Sequence, residues 1–151
     1  MKIFFILLML CLFQRAFSLE RNFHRRPTQA VGNHAVFRDA NGRISGSATR
    51  FGDSVTYRDA NGRMSGTSHR FGDTVTYRDA GGKIIGTEKI NGSRSTFRNA
   101  NGQLAGSSHS ANGRTTFRDA NGKFSGSSVS NGSHTTFRDA NGKFSGSSFN
   151  R

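Results

Sequence analysis

The sequence of 151 residues contains one cysteine, one proline and no tryptophan. Its cysteine, Cys11, lies within an apolar run at the N-terminus, so the rest of the chain has no thiol for a disulfide or a thiolate metal site. Acidic residues are also scarce, with 9 Asp and Glu against 22 Lys and Arg and a formal net charge of +13. A field of that sign favours polyanionic partners through long-range, salt-sensitive attraction.

The apolar run at the N-terminus is typical of a secretory signal. Lys2 is followed by apolar residues 3–13, which are too few for a membrane-spanning helix of about 20 residues. Ala16 and Ser18 supply the small side chains of a cleavage site after residue 18. We therefore expect residues 1–18 to be the signal peptide of a secreted or periplasmic protein, without a transmembrane span after cleavage. The alternative is an uncleaved N-terminal anchor.

Residues 19–35 show no hydrophobic periodicity and contain the single proline, Pro27. They also carry Arg21, Arg25 and Arg26. We interpret this segment as a flexible basic arm, which functions as a solvated linker, contacts a polyanion, or is removed as a propeptide.

From Val36 onward the sequence repeats with a strict period of twenty residues, which predicts one repeat domain over residues 36–151. Each unit has an aromatic residue, Arg, Asp or Asn, Ala, Asn or Gly, then Gly. The aromatic column is Phe37, Tyr57, Tyr77, Phe97, Phe117 and Phe137. An apolar column follows the turn and consists of Ile44, Met64, Ile84, Leu104, Phe124 and Phe144. A single repeat has too few large apolar side chains to fold alone, so the copies must share a core.

The Asn-Gly pair in most repeats predicts a β-hairpin with a type I′ turn. Centring this turn on Asn61 and Gly62 places Tyr57 opposite Gly66, and the other copies repeat the pairing. An aromatic ring over a cross-strand glycine covers bare backbone. A second turn in each period, such as Asn91-Gly92, completes two strands of about eight residues per repeat.

Alternation along these strands assigns residues to two faces. In the second copy it places Val55, Tyr57 and Met64 on one face and Arg58 and Arg63 on the other. The first face is the only candidate core. The second is a flat field of hydroxyl groups and cations.

The predicted fold is all-β: an antiparallel meander of twelve or so short strands from six hairpin repeats, curled or closed into a barrel or flower-like ring. A β-solenoid with one repeat per coil is the alternative. The solenoid would stack six arginines about 4.8 Å apart, whereas a meander separates them by about 9–10 Å. Closure also removes open strand edges, which invite aggregation.

The unit [FY]-R-D-A-N-G-[RK]-x-x-G resembles the repeats of bacterial YD-repeat proteins and of short bacterial β-flower proteins over residues 36–149. The resemblance implies an all-β repeat architecture. Large YD-repeat proteins form shells around toxin domains or present a surface for carbohydrate and cell contact. This chain departs from their pattern by placing Arg38, Arg58 and their equivalents between the aromatic residue and Asp.

The sequence offers little support for catalysis or for a cofactor. A repeated sequence presents the same groups six times, whereas an active site needs one asymmetric cluster. We interpret the Asp column as turn or ion-pair structure, with calcium binding or catalysis as the alternative; it comprises Asp39, Asp59, Asp79, Asp119 and Asp139. The five histidines lack the spacing of a metal site. We expect a protein that is not an enzyme and needs no cofactor or metal.

The remaining candidate site is a basic, hydroxyl-rich face. It comprises Arg38, Arg43, Arg58, Arg63, Arg78, Lys83, Arg98, Arg118, Lys123, Arg138 and Lys143. A cationic lattice on a rigid sheet suits sulfate, phosphate or carboxylate groups along a polymer, because Arg can bind two oxygens at once. The alternative for these residues is a solvated face that keeps the protein soluble.

We predict an exported protein that binds an anionic glycan or another envelope or cell-surface polymer. The alternative function is a structural protein that self-associates through its strand edges. Nucleic acid is a poorer partner, because the signal peptide directs the chain away from it and the aromatic residues face the core.

Overall fold

The computed structural model describes residues 34–151, so the signal peptide expected at residues 1–18 and nearly all of the expected basic arm lie outside the described residues. The first strand begins at His34, two residues before the expected domain boundary. The twelve strands are β1 (His34–Asp39), β2 (Ile44–Phe51), β3 (Ser54–Asp59), β4 (Met64–Phe71), β5 (Thr74–Asp79), β6 (Ile84–Asn91), β7 (Arg94–Asn99), β8 (Leu104–Ala111), β9 (Arg114–Asp119), β10 (Phe124–Asn131), β11 (His134–Asp139) and β12 (Phe144–Asn150).

The strands form an antiparallel meander that closes into a barrel. Each strand pairs with its neighbours in sequence, and β12 returns to pair with β1. The predicted twelve-strand meander is therefore confirmed. The solenoid alternative is wrong, because adjacent strands run antiparallel and equivalent residues of successive repeats lie two strands apart.

The seam between β12 and β1 has the register of the internal junctions. Ser148 pairs with Phe37 across the seam, as Ala48 pairs with Tyr57 between β2 and β3. The six repeats are thus joined identically around the barrel, except that no hairpin connects the two strands of the seam.

The hairpin after each odd-numbered strand is not the predicted type I′ turn. In the first copy the backbone N–H of Gly42 donates to the carbonyl of Asp39 at 3.1 Å, and Gly42 has a φ of +79°. A type I′ turn would also require a left-handed Asn41, and Asn112 is the one non-glycine residue within 34–151 that has this conformation. The turn is therefore a three-residue loop that ends in a left-handed glycine.

This turn shifts the strand register and turns the apolar column outward. Tyr57 pairs with Gly66, but Arg58 pairs with Met64, which leaves Ser65 as the extra residue of a β-bulge. Met64 therefore lies on the outer wall beside Arg58 and is 46% exposed, so its expected place in the core was wrong. The same correction applies to the equivalent residues, which are also exposed: Ile44, Ile84, Leu104 and Phe144.

The hairpins after the even-numbered strands use two-residue turns. Asn91 pairs with Arg94, so the turn is Gly92-Ser93, one residue beyond the expected Asn91-Gly92. Gly92 alone is left-handed there, which is the pattern of a type II′ turn. In the fourth copy both Asn112 and Gly113 are left-handed, which is the pattern of a type I′ turn.

The aromatic column fills the interior of the barrel, and its six members are all buried. Each lies opposite a glycine, as predicted; Phe37 pairs with Gly46 and Tyr57 with Gly66. Four of these glycines, Gly46, Gly66, Gly106 and Gly146, have a second role. A Cβ atom on Gly66 would lie 2.5 Å from the carbonyl oxygen of Arg78 on the next strand, so only glycine allows the two backbones to approach this closely.

The interior differs between the two halves of the chain. In the first three copies the aromatic rings pack against aliphatic residues such as Val55 and Val75. In the last three copies the equivalent positions hold Ser95, Thr115 and Thr135.

Within residues 34–151 no helix is long and apolar enough to cross a bilayer.

Candidate functional site

The eleven predicted basic residues divide between two surfaces at the same end of the barrel. The arginines that follow the aromatic column are exposed on the outer wall, one on each odd-numbered strand. We call them the arginine ring: Arg38, Arg58, Arg78, Arg98, Arg118 and Arg138.

Each arginine of the ring is fixed to the turn beside it. The Nη1 of Arg38 donates to the carbonyl of Gly42 at 2.8 Å, and that of Arg118 donates to Gly122 at 2.7 Å. The other four copies make the same bond at 2.8–2.9 Å. This bond uses one nitrogen of a group with five N–H donors, so it orients the guanidinium without consuming its capacity to bind an anion.

The basic residues that follow the turn glycine line the mouth of the barrel. The N–H of Asp39 donates to the carbonyl of Arg43 at 2.9 Å, which makes the two residues a cross-strand pair. Asp39 lies two residues beyond the inward-facing Phe37, so this pair lies on the inner side of the strand. We call these residues the mouth rim: Arg43, Arg63, Lys83, Lys123 and Lys143. The expectation that they share one face with the arginine ring was wrong, because the three-residue turn shifts the register.

The Asp column has the structural role predicted for it. The Oδ1 atom of Asp39 accepts hydrogen bonds from the backbone N–H groups of Asn41 and Arg43, both at 2.9 Å. Asp59, Asp79, Asp119 and Asp139 make the equivalent two bonds at 2.9–3.0 Å. These carboxylates close the turns that place the arginine ring and the mouth rim.

The outer wall beside the arginine ring is both apolar and rich in hydroxyl groups. Arg58 has Met64 as its partner on β4 and Ser47 as its partner on β2. Farther from the mouth, the outward positions carry threonine and serine in nearly every copy, as in the pair Thr56 and Thr67. The ring therefore combines fixed cations, half-exposed apolar side chains and hydroxyl groups on one rigid wall.

Comparison with known proteins supports the fold alone. No family model matches the chain, and no curated protein matches it. Among solved structures it is similar to an X-ray structure of a protein from Arabidopsis thaliana, with a TM-score of 0.54 and 10% sequence identity over 80% of this chain and 83% of that one. The resemblance to YD-repeat and β-flower proteins stays a prediction.

Sequence reasoning missed a buried acidic residue inside the barrel. Glu88 has 0% exposure, and its Oε2 accepts a hydrogen bond from the hydroxyl of Tyr77 at 2.8 Å. Its cross-strand neighbour Val75 pairs on the other side with Arg70, which also occupies an inward position. Two signals were available: Glu88 interrupts a column of Ala and Ser, and tyrosine replaces phenylalanine in copies two and three.

The histidines within the described range lie on the outer wall. His34 Nδ1 is 3.0 Å from Thr49 Oγ1, and His69 Nδ1 is 3.0 Å from Ser54 Oγ. In residues 34–151 no three His, Cys, Asp or Glu side chains come close enough together to hold a metal ion.

Proposed function

We propose that this chain is an exported, non-enzymatic β-barrel protein whose arginine ring and mouth rim bind an anionic polymer of a cell envelope or host surface. The observation that carries the proposal is the bond from each ring arginine to a turn carbonyl at 2.7–2.9 Å. Binding to a flexible surface cation costs the entropy of ordering its side chain, about 0.5–1.5 kcal/mol each. A guanidinium group that is already hydrogen-bonded to a turn carbonyl loses less side-chain entropy when it binds an anion.

The spacing of the ring supports a polymeric partner. Successive ring arginines lie two strands apart, which corresponds to about 9–10 Å between backbones. Sulfate, carboxylate or phosphate groups that recur along a chain can contact several guanidinium groups in turn. A single small anion would use one or two of them.

The apolar column between the arginines favours a glycan among the anionic polymers. Ile44 and Met64 lie directly opposite Arg38 and Arg58 on the outer wall. A pyranose ring offers an apolar C–H face to such a side chain while its charged substituents reach the neighbouring cations. An inorganic polyphosphate has no apolar face and would use only the charges.

The alternative of assembly through strand edges has no structural observation in its favour. Within residues 34–150 each strand has a hydrogen-bonded partner on both sides, so edge pairing would require the seam between β1 and β12 to open. Solution mass at low and high salt tests this alternative, because edge pairing does not depend on charge and polymer binding does.

Binding of a sulfated polysaccharide as a function of salt tests the proposal. We expect association at low salt that weakens steeply as salt rises. A ring variant combines Arg58→Gln, Arg78→Gln and Arg138→Gln. It should bind the polysaccharide more weakly than a control variant that loses the same charge at the opposite end of the barrel. The control is Lys89→Gln with Arg114→Gln and Arg151→Gln.

A second variant guards against loss of fold in the ring variant, whose arginines brace the turns. Replacing Arg43, Arg63 and Lys83 of the mouth rim by glutamine keeps the turns intact, because Gln103 holds this position in the fourth copy. Circular dichroism confirms folding in each case. If the ring variant, the rim variant and the control all weaken polysaccharide binding equally, a localised site is refuted and net charge alone explains the binding.

A further inference from the structure

The outer wall has a groove where the fourth repeat meets the first strand of the fifth, and the residues that line it differ from those at the equivalent places of the other repeats. Its volume is about 380 Å³, near the lower end of the range of about 300–1,000 Å³ for small-molecule sites. It crosses β7, β8 and β9. Its lining includes Arg94, Thr96, Ser107, His109, Thr116 and Arg118.

These six residues form two rows across the three strands. Arg94 pairs with His109 and His109 with Thr116, which gives the first row. In the second row Ser107 is paired with Thr96 on one side and Arg118 on the other. Arg94 and Arg118 therefore occupy opposite corners, with Cα atoms about 12 Å apart by strand geometry. Arg118 is held by the Gly122 carbonyl at the mouth end of the groove, and Arg94 lies at the opposite end.

In the first row the positions of Arg94 and His109 vary between copies, whereas the position of Thr116 is threonine in most of them. The fourth copy alone has nitrogen-bearing side chains at both of the variable positions. The position of Arg94 is held in the other copies by His34, Ser54, Thr74, Arg114 and His134. The position of His109 is held by Thr49, His69, Lys89, Val129 and Phe149. The corner of Arg118, by contrast, is an arginine in every copy because it belongs to the arginine ring.

Two of the nitrogen donors in the groove are oriented by the protein itself. Arg118 Nη1 donates to the carbonyl of Gly122 at 2.7 Å. His109 Nδ1 lies 3.4 Å from Ser93 Oγ, so Nε2 is the ring nitrogen left to meet a ligand. Threonine and serine hydroxyls lie between these donors and can both donate and accept. The groove thus offers cations for an oxyanion and hydroxyls for sugar hydroxyl groups.

We propose that this groove is the anchoring subsite for the anionic polymer, and that it binds one saccharide unit bearing a sulfate or carboxylate group. The inference rests on the proposed function and adds a defined place to it. The oxyanion lies between Arg94 and Arg118, within reach of His109. The sugar ring lies over Thr96, Ser107 and Thr116. The arginine ring then holds the continuing polymer without selecting its register.

Short probes separate this subsite from general attraction to the ring. We would measure the affinity of the purified protein for a sulfated disaccharide, for an unsulfated disaccharide that carries a uronic acid, and for inorganic sulfate. The test variant combines Arg94→Thr with His109→Val, which copies Thr74 and Val129 from the same positions of the neighbouring repeats. The matched control combines Arg114→Thr with His69→Val, the same two changes at the same repeat positions outside the groove.

We expect the test variant to bind the disaccharide at least about tenfold more weakly, the effect of losing one or more charged hydrogen bonds. The control should change affinity by less than about twofold. Preference for the sulfated probe identifies a sulfate, and equal affinity for the uronate identifies any oxyanion; both support the subsite. Equal losses in the test variant and the control would overturn it, as would disaccharide binding no tighter than that of inorganic sulfate.

The two proposals fail in different ways. If the protein binds the long polysaccharide in a salt-sensitive manner but the test variant binds the disaccharide as the wild type does, the subsite is wrong and the proposed function stands. If the wild type does not bind the long polysaccharide at low salt, the proposed function itself is wrong.

Discussion

Asn99 and Gln103 form a neutral counterpart of the charged turns in the other repeats. The Nδ2 of Asn99 donates to Oε1 of Gln103 at 3.2 Å, where the other copies have Asp and a cation. Oδ1 of Asn99 still accepts the backbone N–H groups of Asn101 and Gln103, both at 3.0 Å. The turn therefore requires the acceptor oxygen and not its charge. In this copy the acid and the cation are both replaced by amides, so the pair of positions is neutral.

Replacing Asp79 tests the requirement for this acceptor. Asp79→Asn should change the free energy of unfolding by less than about 0.5 kcal/mol, because the amide oxygen still accepts two N–H groups. Asp79→Ala should cost about 1–2 kcal/mol by leaving both donors to solvent. Urea denaturation measures both. Equal costs would show that charge, and not the acceptor oxygen, stabilises the turn.

Gly66 tests the close approach of neighbouring strands. Gly66→Ala places a methyl group 2.5 Å from the carbonyl oxygen of Arg78, and we expect a loss of at least about 2 kcal/mol. Gly62 is the matched control, since it has open space around it but a φ of +79°. Gly62→Ala should cost about 1 kcal/mol from its left-handed backbone alone. A smaller loss at Gly66 than at Gly62 in urea denaturation would contradict the steric argument.

The sequence was sufficient for the repeat, the strand count and the pairing of aromatic residues with glycines, because period-two alternation and turn residues encode these directly. It was misleading at the turn. Asn-Gly suits a two-residue type I′ loop, but Asp39 closes a three-residue loop instead by accepting two backbone N–H groups. The extra loop residue moves every side chain between the turn and the bulge to the opposite face of the sheet. For this reason Ile44 and Arg43 were assigned to the wrong faces.

The candidate groove was less predictable than the fold. Its rows depend on pairing across three strands, so Arg94 and Arg118 meet only once the register on both sides of β8 is known. Glu88 was missed for a related reason. The consensus residue at each position predicts the fold of the repeat. Glu88 and the groove residues depart from that consensus in single copies, so the consensus does not predict them.

A double-mutant cycle tests the buried pair of Tyr77 and Glu88. Glu88→Ser should destabilise the barrel by about 2–4 kcal/mol, because it removes the acceptor of the tyrosine hydroxyl and leaves a cavity. Adding Tyr77→Phe reproduces Phe97 and Ser108 of the fourth copy and should recover about 1–2 kcal/mol of that loss. Thermal and urea unfolding of the four proteins give the coupling. If the losses of stability are strictly additive, the two side chains are not energetically coupled.

Phe51 and Phe71 are the most exposed aromatic residues of the described barrel, at 89% and 86%. Asparagine holds the same position in the third and fifth copies, at Asn91 and Asn131. Phe51→Asn with Phe71→Asn should therefore change the unfolding free energy by less than about 0.5 kcal/mol. It should also shorten retention on a hydrophobic column, since two apolar side chains leave the surface. A loss of stability above about 1 kcal/mol would mean that these rings are covered in solution.

The register shared by the seam and the five internal junctions makes the starting point of the described barrel interchangeable. A chain whose ends are joined near residues 34 and 151 and reopened at Gly52-Asp53 would retain every strand pair of the barrel. The order of the copies around the circumference would stay the same. Circular permutation could therefore move the chain termini from the β12–β1 seam to the β2–β3 junction without rearranging the strands of the barrel wall.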